Sequence, residues 1–447
     1  MRILGWLNQY FFGISVPLLL LLAGGFYWMR LRFFSPRRLR SIFFALRREK
    51  RSGSRGSSFR ALMLALAGTL GVGNIVGVSA AIAMGGFGAV FWLWVSATFA
   101  MILKYAEVVL AMRHRRYGAD GKPYGGAPYY IRDIFSSLGL SRLGALLGGI
   151  FALLCALNAV TMGGMIQASA VAEATEESFG FSPTVVGVLL SVIAFFVIRR
   201  GSEGAMRAAG VLVPVMTVGF VVLSVAVLIL RADEIPAAFG RILEGALTPE
   251  AGMGGVGGFL LSRGVRYGTM RGLISNEAGC GTAPTAHAGS EEKSTAKQGM
   301  LGIVEVFVDT HILCTLTALV VMVSFGDAVA RSGSFLQVTL TAYEAVLGKG
   351  AGIFMTLAIG LFGLATVLCW GHYGRESIRV LTRKKWAEKG FLLIYAASVV
   401  IGACATAEVV WGLADFAIGA MTVVNGSVLL IASGEVKEET ELWLTPN

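Results

Sequence analysis

The chain has 447 residues, of which 55% are hydrophobic and only 15% are charged, with a formal net charge of +11. A soluble domain carries about 25% charged residues, so the composition excludes an ordinary soluble enzyme or nucleic-acid-binding domain. Apolar runs of roughly 20 residues predict membrane-spanning helices. The basic residues gather in the short loops between these runs, which is typical of a membrane protein.

Eleven apolar segments are predicted to span the membrane, and we number them zero to ten in chain order. They lie at about 14–30, 60–84, 88–112, 146–174, 184–199, 206–230, 255–286, 298–325, 351–380, 389–406 and 409–433. The loop at 31–60 carries ten Lys or Arg residues and one Glu, so the positive-inside rule predicts that it is cytoplasmic. Alternation then predicts an external N-terminus and a cytoplasmic acidic C-terminal tail.

The layout of the spans predicts an internal repeat. Spans one to five and spans six to ten form two halves, and an odd number of spans in each half makes the second half inverted. The predicted organisation is an extra helix with a basic loop, a first repeat, an external linker, a second repeat and a tail, at 1–59, 60–231, 232–254, 255–433 and 434–447.

Each half opens with a span that is interrupted by glycine, GTLGVGN at 68–74 and SNEAGCGTAP at 275–284. A broken span leaves backbone groups unsatisfied at membrane depth, where protein, water or ligand must satisfy them. The amides that begin the next helix suit a carboxylate, and the carbonyls that end the previous helix suit an ammonium group or sodium. Paired breaks at matching places predict a transporter binding site.

Charged residues inside spans are expected to be functional or paired. Lys104 and Glu107 are three residues apart on one helical face and are predicted to form an ion pair, with a proton relay as the alternative. Glu277 either braces the second break or acts on the ligand or the coupling ion. Asp309 either ties span seven to the core or belongs to the cytoplasmic gate. The three carboxylates Glu107, Glu277 and Asp309 are therefore candidates for gating or coupling.

Several long motifs carry a resemblance to a known family. They include GTLGVGNIVG at 68–77, GGAPYYI at 125–131, RGLISNEAGCGTAPTAHA at 271–288 and EVFVDTHILCTLTAL at 305–319. The chain closely resembles the alanine or glycine:cation symporter family. This resemblance implies a leucine-transporter-type fold of two inverted five-helix repeats plus one extra N-terminal helix. It also implies sodium-driven uptake of alanine, glycine or a similar amino acid.

The resemblance also implies a set of contacts when it is carried over residue by residue. The implied substrate contacts are Thr69, Gly71, Gly73, Asn74, Gln167, Gly279, Cys280, Gly281, Thr366 and Trp370. The implied sodium ligands are Thr69, Leu70 and Thr366. Two positions depart from the family pattern. Cys280 stands where Met or Leu is usual and implies a larger pocket, and Ala365 replaces one hydroxyl of a Thr-Thr pair in the sodium site.

We therefore expect an all-α, multi-pass protein of the bacterial inner membrane that imports a small neutral amino acid with sodium by alternating access. Alanine and glycine are the expected substrates, and a larger one such as glutamine is conceivable. The sequence contains no HExxH, GxSxG or Walker motif, so we expect no enzymatic activity. We expect no cofactor besides the sodium ion, no nucleic-acid partner, and a monomer as a plausible state. The alternatives are a proton-coupled transporter or exchanger on the same fold, and a sensor that binds an amino acid without moving it.

Overall fold

The computed structural model describes residues 6–33, 40, 55–246, 263–326, 334–405 and 407–445. Its helices up to the middle of the chain are α1 (Tyr10–Leu31), α2 (Arg55–Thr69), α3 (Val76–Gly85), α4 (Gly88–Arg113), α5 (Ala127–Ser137), α6 (Ser141–Phe179), α7 (Pro183–Arg199), α8 (Ser202–Leu230) and α9 (Ile235–Ala246). Those that follow are α10 (Arg263–Asn276), α11 (Pro284–Ala288), α12 (Thr295–Phe325), α13 (Phe335–Leu347), α14 (Lys349–Leu381), α15 (Lys385–Cys404), α16 (Ala407–Ile431) and α17 (Ser433–Leu444).

Long apolar helices dominate the described part of the chain, as the composition predicts. Eight helices are long and apolar enough to cross a membrane, and the bent pair formed by residues 56–69 and 72–85 is a ninth candidate. Helix α7 is apolar but has only 17 residues. The predicted span at 255–286 is described only from residue 263, as the short helices α10 and α11. The prediction of a multi-pass membrane protein is thus confirmed, whereas the count of eleven spans stays a prediction.

The described helices can be grouped by the two predicted halves, whose bounds stay a prediction. The first half runs from α2 to α8 and opens with the break between α2 and α3, and the second runs from α10 to α16 and opens with the break between α10 and α11. Helix α4 packs against both α10 and α12, while α14 packs against α2, α6 and α8. The two breaks therefore lie within the packed interior, where most of their residues are buried.

Glycine lets these helices approach closely, as expected where lipid provides no hydrophobic force between helices. A Cβ atom added to Gly163 in α6 would lie 2.1 Å from Cβ of Trp370 in α14. A Cβ added to Gly402 in α15 would lie 2.3 Å from Cα of Met165 in α6. These two contacts fix α6 against the helices of the second half.

Two helices contain π-helical segments beside the first break. In α6 the segment is Ala159–Ile166, and in α12 it is Phe307–Cys314. A π-helical turn inserts an extra residue into the helix and turns side chains that an α-helix would direct elsewhere, and such turns are frequent at functional sites. Here they precede Gln167 and carry Asp309, two of the residues singled out from the sequence.

The C-terminal segment, predicted only as an acidic tail, forms helix α17 and is held at the end of α4. His114 lies between two carboxylates, with Nδ1 3.0 Å from Oδ2 of Asp133 and Nε2 2.8 Å from Oε2 of Glu435. Burial alone would lower the pKa of His114, but the hydrogen bonds and charges of Glu435 and Asp133 outweigh it and raise the pKa. The His114 hydrogen bond likewise lowers the pKa of Glu435.

Candidate functional site at the two helix breaks

The first break is short and keeps most of its backbone polar groups bonded. Helix α2 ends at Thr69, a single 3-10 turn covers Val72–Asn74, and α3 leaves at an angle of 58°. The amide of Gly71 donates to Oδ1 of Asn74 over 3.2 Å, and the amide of Val72 donates to Oε1 of Gln167 over 3.1 Å. Side chains thus replace the carbonyl acceptors that an unbroken helix would supply.

A small cavity lies against this break. Its volume is about 10 Å³, which is no more than one water molecule needs. The cavity is lined by Gly68, Thr69, Gly71, Gly73, Met162, Ile166, Gln167, Ile274 and Trp411. A Cβ added to Gly73 would meet no atom within 4 Å, whereas one added to Gly71 would lie 2.7 Å from Oγ1 of Thr366. The cavity is therefore too small in this structure for any ligand larger than a water molecule.

Asn74 joins the first break to spans six and seven. Its Nδ2 donates to Oδ1 of Asp309 over 2.6 Å and lies 3.0 Å from Oγ of Ser275. Oδ2 of Asp309 also accepts from Ser275 over 2.8 Å and from Thr310 over 2.7 Å. Asp309 is fully buried, so its charge is stabilised by these three donors. The contact agrees with the prediction that Asp309 ties span seven to the core.

The predicted sodium ligands are only partly brought together. Oγ1 of Thr366 lies 3.5 Å from the carbonyl oxygen of Leu70, so these two oxygens share one location between α2 and α14. The hydroxyl of Thr69 instead faces its own helix, 3.4 Å from the carbonyls of both Ala65 and Leu66. Ala365 has no side-chain oxygen to add to them.

The second break is longer and is satisfied by polar side chains of the protein. It covers 277–283, with positive φ at Glu277 (52°), Gly279 (88°) and Gly281 (79°). Oε1 of Glu107 accepts from the amide of Gly281 over 2.8 Å and from Nδ2 of Asn425 over 2.6 Å. The same Asn425 amide donates to the carbonyl of Gly279 over 2.9 Å. Glycine is required at 279 and 281, because a positive φ strains other residues.

Glu277 is also held within the protein. Its Oε1 accepts from Nε1 of Trp370 over 3.0 Å, and its Oε2 accepts from Oγ1 of Thr282 over 2.6 Å. The Oε1 bond links the second break to span eight, and the Oε2 bond closes the break on itself. This geometry agrees with the bracing interpretation of Glu277.

The structure separates the predicted substrate contacts into two groups. Thr69, Gly71, Gly73 and Gln167 line the cavity, and Asn74 and Thr366 lie directly behind them. The other four residues are buried elsewhere: Gly279, Cys280, Gly281 and Trp370. Sγ of Cys280 lies 3.4 Å from Oγ1 of Thr422 in α16, so that thiol points to span ten. A substrate contact for these four residues stays a prediction.

The predicted ion pair between Lys104 and Glu107 is wrong. Nζ of Lys104 pairs with Oε1 of Glu305 over 3.2 Å, and both side chains are fully buried. Oε2 of Glu305 lies 3.1 Å from Nε2 of His287, whose Nδ1 lies 2.8 Å from Nε2 of Gln298. The spacing of three residues permits a pair on one helix, but a closer partner on α12 and the amide of Gly281 compete successfully for the two side chains.

Sequence reasoning missed several residues of the site. Met162, Ile166, Ile274 and Trp411 line the cavity, but an apolar residue in an apolar span gives no signal of that role. Asn425 did give a signal, because it is a lone amide inside the last apolar span, where polar groups are expensive.

Comparisons with known proteins identify the family to which the chain belongs. The sequence model described as the sodium:alanine symporter family matches residues 1–446. The chain is 34% identical to the sodium/alanine symporter AgcS of Methanococcus maripaludis over 98% of this chain and 95% of that protein. It is 30% identical to the probable sodium/glutamine symporter GlnT of Bacillus subtilis, over 97% and 88% of the two chains.

A solved structure supports the fold. The crystal structure of MhsT in complex with L-phenylalanine aligns with a TM-score of 0.62 at 14% sequence identity, covering 88% of this chain and 95% of that one. At this identity the likeness concerns the fold alone, and it confirms the expected leucine-transporter-type arrangement. On the match along its whole length, the chain belongs to the sodium:alanine symporter family.

Proposed function

We propose that the protein imports a small neutral amino acid together with sodium and that the substrate binds at the break of span one. Sodium-coupled amino-acid symport is the activity for which its relatives are named. The observation that carries the location is the convergence of Gly71, Gly73 and Gln167 on one small closed cavity. Alanine is the first substrate to test, and glutamine the second.

The chemistry of the first break suits a zwitterion. The amides of Gly71 and Val72 donate to Asn74 and Gln167 in this structure. We infer that they exchange these acceptors for the substrate carboxylate when the site opens. Gly73 leaves space beside them, since a Cβ there would meet no atom within 4 Å. The apolar side chains of Ile166 and Ile274 then face the substrate side chain and favour a small neutral one.

Two larger cavities on either side of this site support alternating access. One of about 250 Å³ lies on the predicted outer side and includes Arg271, Ile274 and Asp415. One of about 420 Å³ lies on the predicted cytoplasmic side and includes Arg132 and His372. Ile274 lines both the outer cavity and the central one, so it forms part of the barrier between them. We infer that the structure represents a closed state between two open ones.

The coupling sodium is proposed to bind where Leu70 and Thr366 meet, 3.5 Å apart. Sodium needs several oxygen ligands, so further carbonyls of the first break must complete the site. Asp309 is proposed as the coupling carboxylate, because it is the acid bonded to Asn74 at the first break. In this proposal, the bound sodium ion holds the first break in the geometry that the substrate needs for binding.

Uptake of radiolabelled alanine into proteoliposomes, with sodium and pH gradients imposed separately, tests this function. We expect uptake to depend on the sodium gradient and to persist without a pH gradient. Uptake that is equally fast without sodium would contradict the coupling, and saturable binding without uptake would favour a sensor.

A variant tests the location of the site. Gly73→Phe overfills the small space beside the first break and should abolish alanine uptake, while the protein still inserts and purifies normally. Gly210→Phe is the matched control, because Gly210 in α8 likewise has no atom within 4 Å of an added Cβ but lies away from the cavity. Normal uptake by Gly73→Phe would refute the proposed site.

A further inference from the structure

A groove with a basic rim lies at the predicted cytoplasmic ends of spans four, eight and nine. Its volume is about 500 Å³, larger than the central site and away from it. We call it the basic groove, and its lining residues share two properties, an apolar wall and a cationic rim. The wall is Phe195, Leu392 and Leu393, and the rim is Arg199, Arg375, Arg379, Lys385 and Lys389 with the single carboxylate Glu388.

Two of the five cations are already used within the protein. Nε of Arg375 lies 3.1 Å from Glu388, and Nη1 of Arg375 donates to the carbonyl of Ile198 over 2.9 Å. Arg379 pairs with the same Glu388 over 3.0 Å and with Glu376 over 2.7 Å. These two arginines therefore hold α7, α14 and α15 together and form the floor of the basic groove.

The other three cations have no such partner. Arg199, Lys385 and Lys389 are exposed, and no carboxylate oxygen among the described residues lies within 4.0 Å of them in an ion pair. Lys385 and Lys389 are four residues apart and lie on one face of α15. They also stand in the first turn of that helix and the next, where the helix dipole adds positive potential. The rim thus carries three uncompensated positive charges.

The order of residues along both helices separates charge from hydrocarbon. In α7, Phe195 lies one turn deeper in the predicted membrane than Arg199. In α15, Leu393 lies one turn deeper than Lys389, and its side chain is 62% exposed. A ligand that fits both layers has an anionic head and an apolar tail. Basic pockets between membrane helices on the cytoplasmic side bind anionic lipid head groups by this chemistry.

We propose that the basic groove is a binding site for an anionic phospholipid of the cytoplasmic leaflet. Its phosphate lies between Arg199, Lys385 and Lys389, and one acyl chain runs along Phe195 and Leu393. A free phosphate ion would use the rim alone and leave the apolar wall exposed. The lipid bridges spans four and nine above the floor formed by Arg375 and Arg379.

Native mass spectrometry of the detergent-solubilised full chain tests this proposal, with dioleoyl phosphatidylglycerol as the probe and dioleoyl phosphatidylcholine as the zwitterionic comparison. We expect the protein to retain phosphatidylglycerol selectively. The triple variant Arg199→Gln, Lys385→Gln and Lys389→Gln should lose affinity by about fivefold for each cation removed.

The matched control removes the same charge from exposed residues elsewhere on the predicted cytoplasmic side, as Arg142→Gln, Lys293→Gln and Lys437→Gln. We expect this control to retain phosphatidylglycerol as the native chain does. Equal retention by the groove variant and the native chain would overturn the proposal, as would equal loss in the control. Inorganic phosphate alone is the third arm, and full displacement of the lipid by millimolar phosphate would show an ion site instead of a lipid site.

Discussion

The two helix breaks have the same place in the two halves of the fold but are satisfied in different ways. The first break, at span one, is one 3-10 turn long, is bonded by the amides of Asn74 and Gln167, and borders the central cavity. The second, at span six, covers 277–283 and is bonded by the carboxylates of Glu107 and Glu277. No residue of 277–283 lines the central cavity.

This difference teaches that a broken helix can serve two purposes. The amide side chains of Asn74 and Gln167 accept from the first break, with the buried Asp309 bonded behind Asn74. We propose that the zwitterionic substrate binds at this break. The buried carboxylates of Glu107 and Glu277 accept hydrogen bonds from the amide of Gly281 and the hydroxyl of Thr282, so protein side chains satisfy these groups of the second break. The predictions below compare the two breaks and start with the largest expected effect.

The first prediction compares stability with uptake at the two breaks. Glu107→Ala removes the acceptor of the Gly281 amide and one of the two acceptors of Nδ2 of Asn425, so it should destabilise the protein by about 2–6 kcal/mol, at about 1–3 kcal/mol for each unsatisfied N–H. Gln167→Ala removes only the acceptor of the Val72 amide. It should therefore destabilise the protein less than Glu107→Ala does, but it should reduce alanine uptake by the folded protein more. Thermal unfolding in detergent and alanine uptake by the folded fraction measure both quantities. Equal losses of stability in the two variants would contradict the proposed difference between the two breaks.

The second prediction concerns the close packing at Gly71. An added Cβ would lie 2.7 Å from Oγ1 of Thr366 and 2.9 Å from Oε1 of Gln167, so Gly71→Ala must displace one of them. Overpacking of this kind costs about 1–3 kcal/mol, which corresponds to a loss of about 5- to 150-fold in apparent alanine affinity when the cost falls on the bound state. Gly77→Ala is the control, because its Cβ would meet nothing within 4 Å. Transport kinetics of the two variants should differ, and identical kinetics would argue against Gly71 at the site.

The third prediction separates the cavity from Cys280. The family resemblance implies that Cys280 enlarges the pocket, but its thiol faces Thr422 in span ten. Met162→Ala should therefore increase the preference for larger amino acids, by about fourfold for each added methylene that becomes buried. Cys280→Met should instead lower stability without changing that preference. A competition panel against alanine uptake checks this, and a narrowed panel for Cys280→Met would place Cys280 in the pocket.

The fourth and smallest prediction concerns pH at the end of α4, the helix that carries Glu107. Because the pKa of His114 is raised in the folded protein, its protonated ring stabilises the fold through Glu435. This stabilisation is fully present below about pH 6.5, the ordinary pKa of histidine, and is lost as pH rises through the raised value. Because the pKa of Glu435 is lowered, the contribution of its carboxylate to stability is present above about pH 4.5 and is lost as the pH falls further. Because both groups are partly exposed, we expect about 1 kcal/mol or less.

Hydrogen exchange of α17 in the native chain and in His114→Gln, compared at each pH, measures this contribution. Protection of α17 in the native chain should exceed that in the variant most clearly between about pH 5 and 6 and should converge with it at higher pH. A difference that grows above pH 7 would have the wrong sign for the His114 contact.

Much of the architecture could be predicted from the sequence because it follows from local composition. Apolar length gives the spans, basic loops predict their orientation, and the glycines at 68–77 and 279–281 mark the breaks, since positive φ and close approach require glycine. Asn74 could also be predicted from its place in the glycine cluster, because polar groups inside a span are expensive. Gln167 is implied by the family resemblance alone. These features depend on single residues or on neighbours in the chain.

The tertiary structure alone decided which side chains meet. Lys104 pairs with Glu305, which is 201 residues later, and Glu107 supports Gly281 with Asn425, which is 318 residues later. Nothing in the spacing of Lys104 and Glu107 indicates these partners. The sequence by itself determined a membrane protein with two broken spans. Only the packing of the two halves decided that the first break borders a cavity and the second is closed by carboxylates, because long-range contacts select the partners of each buried polar group.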